Sequence, residues 1–278
     1  MIYLLLAVLS SALISVFMRL SEQRISHNIG MLSVNYLICT VIAACYTGTP
    51  NLFPPTEGVA TALSLGVLSG VLYLVAFVMM QWNVRKNGVV LPATFMKLGV
   101  VVPTLLSIVL FRESPSAAQL AGFAGTAIAI LLIHFESAGS KAGSQTGLLI
   151  LLLISGITDF TAKFYEQWGT PALEGHYLFY TFLVALVLCL GLMLQKKQRI
   201  GLQELLFGTL VGIPNYFSAR FLLLALGRVP AMVVYPSYSV GTIVVVSCAG
   251  LLIFREKLSR KKALALCVIL VALGLLNL

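Results

Sequence analysis

Apolar runs of about 20 residues follow one another along almost the whole chain, and a spanning helix needs about 20 mainly apolar residues. These runs predict ten transmembrane helices. Because ten spans of about 21 residues take up roughly 210 positions, the connections must be short, and no segment is left for a separate soluble domain. The predicted spans are 2–20, 29–47, 59–82, 89–111, 117–135, 147–165, 176–194, 204–227, 229–254 and 261–278.

The composition agrees with this interpretation. Of the 278 residues, 59% are hydrophobic and 10% are charged, whereas a soluble domain carries about 25% charged residues. A water-soluble enzyme, a nucleic-acid binder and a disordered regulator are therefore excluded. We expect a multi-pass integral protein of a bacterial inner (plasma) membrane, with the lipid bilayer around it and no nucleic acid as partner. A homodimer is compatible with this expectation.

The basic residues predict an orientation in the membrane. Thirteen of the 18 lysines and arginines fall in odd-numbered connections, and three fall in even-numbered ones or at the adjoining helix ends. The remaining two, Lys97 and Arg220, lie within spans. Since basic loops stay in the cytoplasm, the odd connections are predicted to be cytoplasmic. Both termini and the loop 50–57 are then predicted to lie outside.

Four short motifs recur in the same order at an offset of 142–144 residues, which indicates an internal duplication. Each repeat has five spans, an odd number, so the two repeats must cross the membrane in opposite senses. The pairs are Phe111-Arg112-Glu113 with Phe254-Arg255-Glu256, Val89-Val90-Leu91-Pro92 with Val233-Val234-Tyr235-Pro236, Arg19-x-x-Glu22-Gln23 with Lys163-x-x-Glu166-Gln167, and Gly66-x-x-x-Gly70 with Gly208-x-x-x-Gly212.

The predicted fold is therefore an all-α membrane protein, with ten transmembrane helices arranged as two inverted five-helix repeats. The first repeat covers residues 1–138 and the second covers 147–278. A glycine- and serine-rich linker, residues 139–146, joins them. Secondary transporters are built in this way, with the substrate site near the midplane between the repeats. The paired glycines of the third and eighth spans are expected to be close-packing surfaces rather than sites.

Ten spans, a five-plus-five duplication and an apolar-Arg-Glu corner before a glycine-bearing helix resemble the drug/metabolite transporter superfamily, in particular its EamA-like branch. The corner is Leu110-Phe111-Arg112-Glu113 in the first repeat and Ile253-Phe254-Arg255-Glu256 in the second. The resemblance covers essentially the whole chain. It implies transport of a metabolite or drug, often coupled to protons or to exchange. It also implies a central cavity lined mainly by spans 1–4 and 6–9.

Lys97 and Arg220 are candidate substrate-binding residues. A charge near the midplane costs roughly 2.5–3.5 kcal/mol on insertion scales, so each calls for a compensating group. Lys97 lies between Pro92 and Pro103 and is predicted to face the cavity, with a buried structural ion pair as the alternative. A guanidinium binds carboxylate or phosphate with two parallel hydrogen bonds. The alternative for Arg220 is that it reaches toward the outer interface.

Asp159 is the candidate proton-coupling group. Its counterpart in the first span is Ser15, so the shared fold does not require the carboxylate. A partly desolvated carboxylate can exchange protons near neutrality. The alternative is a helical pair with Lys163, four residues further on. Glu22 is a second candidate, for which a solvated cap or a gate contact is the alternative.

Several polar and aromatic residues of spans 7–9 are predicted to line the cavity, because tyrosines can stack on a ring or cation while their hydroxyls form hydrogen bonds. Anchoring at the membrane interface is the alternative. These residues are Tyr180, Asn215, Tyr216, Tyr235 and Tyr238.

The leading functional prediction is a secondary transporter for a small polar metabolite, such as an amino acid, organic anion or zwitterion, with proton coupling as an option. An exporter of cationic or hydrophobic drugs is the second hypothesis, and a non-transporting assembly partner is the third. The sequence lacks a phosphate-binding loop, a dinucleotide fingerprint and a nucleophile elbow. Its three histidines are scattered. We therefore expect no enzyme activity, no cofactor and no metal.

Overall fold

The computed structural model describes residues 2–102, 143–228, 231–255 and 260–275, together with a few positions between 106 and 128. These residues form nine α-helices, and no strand occurs among them. The helices are α1 (Ile2–Ser21), α2 (Asn28–Cys45), α3 (Val59–Asn87), α4 (Val90–Leu98), α5 (Gly143–Trp168), α6 (Glu174–Gln195), α7 (Leu202–Leu226), α8 (Ala231–Leu252) and α9 (Arg260–Leu275).

The described helices coincide with predicted spans. Helices α1–α4 lie in the first four spans, and α5–α9 lie in spans six to ten. Five helical segments, containing α1, α2, α3, α5 and α6, are long and apolar enough to cross a membrane. The chain is thus an all-helical protein of membrane type over the described residues. The Arg112-Glu113 corner, most of the fifth span and linker residues 139–142 lie outside those residues, while linker residues 143–146 form the first turn of α5.

A glycine separates α3 from α4. Gly88 has a φ of +75°, which costs little for a residue without a Cβ, and its N–H donates to the carbonyl of Val84 at 3.1 Å. The chain then starts α4 at Val90, with Pro92 in the first turn, where a proline is tolerated because N–H groups there have no helical partner. This turn sends α4 back into the bundle.

Contacts at one end of the bundle define the relative direction of α1 and α5. Arg19, near the end of α1, donates to the carbonyl of Val84, near the end of α3 (3.4 Å). Asn83 of α3 donates to the carbonyl of Gly147, near the start of α5 (3.0 Å). Helix α1 therefore ends where α5 begins, and the two helices run in opposite senses.

One end of the bundle, here called the basic end, contains the connections 22–27, 88–89 and 196–201. Arg85 donates to Asn28 at 2.5 Å, and the N–H of Ile29 donates to Gln198 at 3.1 Å. The basic residues gathered here are Arg19, Arg24, Arg85, Lys86, Lys196, Lys197 and Arg199.

The opposite end contains the connections 46–58 and 169–173. The loop 46–58 folds onto the start of α6. There the hydroxyl of Tyr180 donates to the carbonyl of Leu52 at 2.8 Å, and His176 Nε2 lies 3.2 Å from the carbonyl of Asn51. Gly58 (φ +90°) sits against Thr170, the residue that leads into α6.

The helix packing repeats when the two halves are exchanged. Helix α1 packs on α7 and α8, and α5 packs on α3 and α4. Helix α2 packs on α7, and α6 packs on α3. Two contacts, α2 with α6 and α4 with α8, join equivalent helices of the two halves directly.

The glycine motifs form close helix contacts, as predicted. A Cβ on Gly70 would lie 2.5 Å from the carbonyl oxygen of Thr181 in α6, and a Cβ on Gly212 would lie 2.8 Å from that of Asn35 in α2. Real Cβ atoms do not approach a backbone this closely. The two motifs are therefore confirmed as packing surfaces.

We expect Gly70→Ala to lower the free energy of unfolding by about 1–3 kcal/mol, because the added methyl group overlaps the backbone of α6. Gly191→Ala is the matched control. Gly191 also lies within an α-helix, but an added Cβ would meet no atom within 4 Å, so this variant should be unchanged or stabilised by roughly 0.5–1 kcal/mol. Denaturant titration of the purified protein in detergent measures both. Equal stabilities would contradict the packing role of Gly70.

Candidate functional site

A cavity of about 90 Å³ lies between the two halves of the chain, with walls from α1, α3, α4, α5, α7 and α8. This volume holds several water molecules. Polar and apolar side chains share its walls. The lining residues are Ser11, Ile14, Ser15, Met18, Tyr73, Ala76, Phe77, Met80, Ala93, Met96, Lys97, Ser155, Thr158, Asp159, Asn215, Ser218, Ala219, Leu222 and Tyr238.

Lys97 enters the cavity from α4. Its Nζ lies 3.8 Å from the centre of the Tyr238 ring, a cation–π contact in which the ring face attracts the ammonium group. The Tyr238 hydroxyl is in turn 2.9 Å from Ser218 Oγ. This hydrogen bond holds the ring in place and links α8 to α7.

Asp159 enters the cavity from α5 and brings the opposite charge. Lys97 is the cation that acts electrostatically on its carboxylate. No ion pair joins these two side chains, nor does either form one with any other residue that the structure describes. The cavity therefore contains one positive and one negative side chain whose hydrogen-bonding capacity is largely unused.

Two glycines bring these charges to adjoining walls. A Cβ on Gly156 would lie 2.4 Å from the carbonyl oxygen of Gly99, so the backbones of α5 and of the turn after α4 are in direct contact. Ser155 Oγ donates to the carbonyl of Met96 at 2.9 Å. Because Met96 precedes Lys97 and Ser155 lies one turn before Asp159, this contact determines where both charges enter the cavity.

Corresponding positions of the two halves line the cavity together. On α1 and α5 the pairs are 144 residues apart, and on α3 and α7 they are 142 apart. These offsets are those of the sequence repeat. The pairs are Ser11 with Ser155, Ile14 with Thr158, Ser15 with Asp159, Tyr73 with Asn215, Ala76 with Ser218, Phe77 with Ala219, and Met80 with Leu222.

Asn215 has a partner behind the wall that the sequence analysis did not identify. Its Nδ2 donates to Oδ1 of Asn35 at 3.2 Å, and Asn35 is fully buried on α2. Because the side-chain nitrogen is used in this bond, the side-chain oxygen of Asn215 is the atom that can accept a hydrogen bond in the cavity. A buried asparagine in an apolar span was the available signal for Asn35.

Four of the predicted site residues, Lys97, Asp159, Asn215 and Tyr238, meet in the cavity. Its serines and Tyr73 were not predicted as site residues. Ser11 and Ser15 are four residues apart, and Ser155 and Asp159 repeat that spacing 144 residues later. The repeat, applied position by position, could therefore have identified them.

The pairing of Asp159 with Lys163, considered from the sequence, is not formed. No ion pair between them occurs within the described residues, and Lys163 acts electrostatically on Glu166 instead. A lysine near the end of an apolar helix reaches for polar groups at that end, whereas Asp159, one turn earlier, faces the cavity.

Four other candidate residues do not line this cavity. Tyr180 donates to the loop 46–58, and Glu22 forms an ion pair with Arg19 at the basic end. Tyr216 packs against Tyr46 and Phe182, and Arg220 lies over the Tyr46 ring. These last two occupy the face of α7 that meets α2 and α6, while Asn215 and Ser218 occupy its cavity face. The side chain of Tyr235 lies outside the described residues.

Comparisons with known proteins find a similarity of fold. No family model and no curated protein matches the chain. Twenty-seven chains of solved structures are similar to it. One of them, a crystal structure, aligns with 97% of this chain and with 94% of its own length, at a TM-score of 0.63 and a sequence identity of 13%. The likeness shows that this helix arrangement occurs in another protein of similar length.

We expect Tyr238→Phe to cost about 0.5–1.5 kcal/mol of unfolding free energy, because it loses only the hydrogen bond to Ser218. Tyr238→Leu should cost about 1 kcal/mol more, since it also removes the ring face beneath the Lys97 ammonium. Denaturant titration in detergent measures the difference. In a Lys97→Met background that extra cost should disappear. Equal losses for the Phe and Leu variants with Lys97 present would rule out the cation–π contact.

Proposed function

We propose that the chain is a ten-span membrane protein made of two inverted five-helix repeats. Three observations support this architecture. The main helix contacts recur when the halves are exchanged, the equivalent helices α1 and α5 run in opposite senses, and cavity-lining residues correspond at the repeat offset. The family we propose is the drug/metabolite transporter superfamily, in its EamA-like branch.

Its function, in this proposal, is secondary active transport of a small polar metabolite. The observation that carries the proposal is the cavity between the halves, which equivalent residues of both halves line and which contains one unpaired lysine and one unpaired aspartate. Both charges are costly in a membrane. A solute that bonds to them while it crosses would repay part of that cost.

The two charges narrow the class of solute. Lys97 would bind a carboxylate or another anionic group, and Asp159 would bind an ammonium group or a proton. Amino acids, other zwitterions and organic anions that move with a proton fit this arrangement. A purely cationic drug fits less well, because the ammonium of Lys97 would repel it.

The distribution of basic residues supports an orientation with the basic end in the cytoplasm and both termini outside. The membrane in this proposal is a bacterial inner membrane. With the membrane so placed, the loop 46–58 is external and residues 196–201 are cytoplasmic.

Single cysteines at Glu57 and Lys196, both exposed and at opposite ends of the bundle, test this orientation. The exposed Cys45, Cys248 and Cys267 are first replaced by alanine, while the buried Cys39 and Cys189 are kept. On intact cells an impermeant maleimide should label Glu57→Cys and leave Lys196→Cys unlabelled until the cells are permeabilised. The reverse pattern would invert the assignment.

Transport is tested in liposomes with a panel of labelled amino acids, dicarboxylates and quaternary ammonium compounds. For any solute that is taken up, Lys97→Met should weaken binding roughly ten- to a hundredfold, the effect of losing a charge-assisted hydrogen bond of about 1.5–3 kcal/mol. Its melting temperature should stay near that of the wild type, because removal of a charge that is costly in the membrane offsets the loss of the cation–π contact. Normal binding with a lowered melting temperature would make Lys97 a structural residue, and the absence of uptake for the whole panel would count against transport.

Asp159→Asn separates proton coupling from solute movement. We expect it to abolish uptake driven by a pH gradient and to leave solute exchange at fixed pH largely intact, because a neutral amide cannot take up and release a proton. Glu166→Gln is the matched control on the same helix, outside the cavity. Gradient-driven uptake at the wild-type rate in Asp159→Asn would exclude the coupling role.

A further inference from the structure

A second group of polar side chains lies outside the cavity, near the end opposite the basic end. Tyr46 follows α2, Glu174 begins α6, and Tyr216 and Arg220 lie one turn apart on α7. We call these four residues the Arg220 cluster. None of them lines the central cavity.

The four residues are in contact or within electrostatic reach of one another. The ring centres of Tyr46 and Tyr216 are 5.8 Å apart, and Arg220 Cζ lies 5.4 Å from the centre of the Tyr46 ring. The carbonyl of Tyr46 borders Gly175, the neighbour of Glu174. Arg220 acts electrostatically on both Glu174 and Tyr216.

The polar atoms of this cluster lack partners among the described residues. Tyr216 is fully buried, and its hydroxyl forms no hydrogen bond. Glu174 Oε1 is also buried without a partner, and Arg220 forms no ion pair within the described part of the chain. Buried polar groups in proteins are nearly always bonded. Two such atoms at one place, beside the guanidinium of Arg220, indicate a bound molecule.

The cluster combines exposed and buried groups. Tyr46 is 48% exposed and Arg220 is partly exposed, whereas the Tyr216 hydroxyl and Glu174 Oε1 are buried. The corresponding residues of the first half, at the repeat offsets, are Gly30, Leu74 and Val78. The shared fold therefore does not require these polar groups.

We propose that the Arg220 cluster is a second solute site, which takes small zwitterions of the α-amino acid type. The guanidinium of Arg220 binds the carboxylate, assisted by the Tyr216 hydroxyl. Glu174 binds the ammonium group beside the Tyr46 ring, whose face attracts cations. This inference rests on the proposed function, because a transported solute would occupy the site on its way to or from the central cavity.

Equilibrium dialysis of the purified protein against a mixture of ¹⁴C-labelled protein amino acids tests this proposal by counting bound molecules per chain. The wild type should bind two. Arg220→Gln should bind one, Tyr216→Phe should weaken one of the two sites roughly tenfold, and Lys97→Met should lose the other site. Arg228→Gln is the matched control, because Arg228 lies at the same end over the ring of Tyr3, and it should still bind two.

The outcomes separate the second site from the proposed function. Two molecules bound by Arg220→Gln would overturn the second site, whether or not the variant melts at a lower temperature. A wild type that binds one molecule, lost in Lys97→Met, would also overturn it and leave transport standing. Two bound molecules without uptake in liposomes would refute transport and keep the site. No binding to the wild type would overturn both.

Discussion

The close approach of helices at Gly66, Gly70, Gly208 and Gly212 is the constraint on which the arrangement of the bundle depends. Lipid is as apolar as a leucine side chain, so helices in a bilayer gain little by burying apolar surface against each other. Small residues provide the alternative, because backbones that touch gain van der Waals contact over several turns. Here α3 lies against α6, and α7 lies against α2, each through its own glycine motif. Each contact joins a helix of one half to a helix of the other.

The cavity follows from this exchange of helices. Because α3 and α7 cross to the partner half, each brings its other face toward the centre, where it meets α1, α4, α5 and α8. Helices α2 and α6 lie behind and contribute no lining residue. Equivalent positions of the two halves therefore face each other across one space.

Charge breaks this near-symmetry. Ser15 and Asp159 occupy equivalent positions, so a carboxylate enters from one half and a hydroxyl from the other. Lys97 enters from α4 without a matching lysine on α8. The ring of Tyr238, from α8, lies beneath its ammonium group. The shared fold provides the space, and the unequal residues give it one ammonium group and one carboxylate. Under the proposed function, Lys97 and Asp159 would be the residues that select the solute.

Much of the fold can be read from the sequence, and less of the site. Apolar runs of the right length located the described helices, because a helix of about 20 residues is the simplest way to satisfy backbone polar groups in lipid. The repeat offset paired the helices, and a charge that is costly in an apolar span marked Lys97 and Asp159.

The direction in which a side chain faces could not be predicted from the sequence in the same way. In lipid both the outer surface and the interior of a bundle are apolar, so hydropathy does not distinguish the two faces of α7. Asn215 and Arg220, five residues apart, looked equally suited to the cavity. Only the packing of α7 against α2 and α6 decided that Asn215 faces the cavity while Arg220 lies beside Tyr46. With 3.6 residues per helical turn, side chains five positions apart point in different directions, so they meet different neighbouring helices.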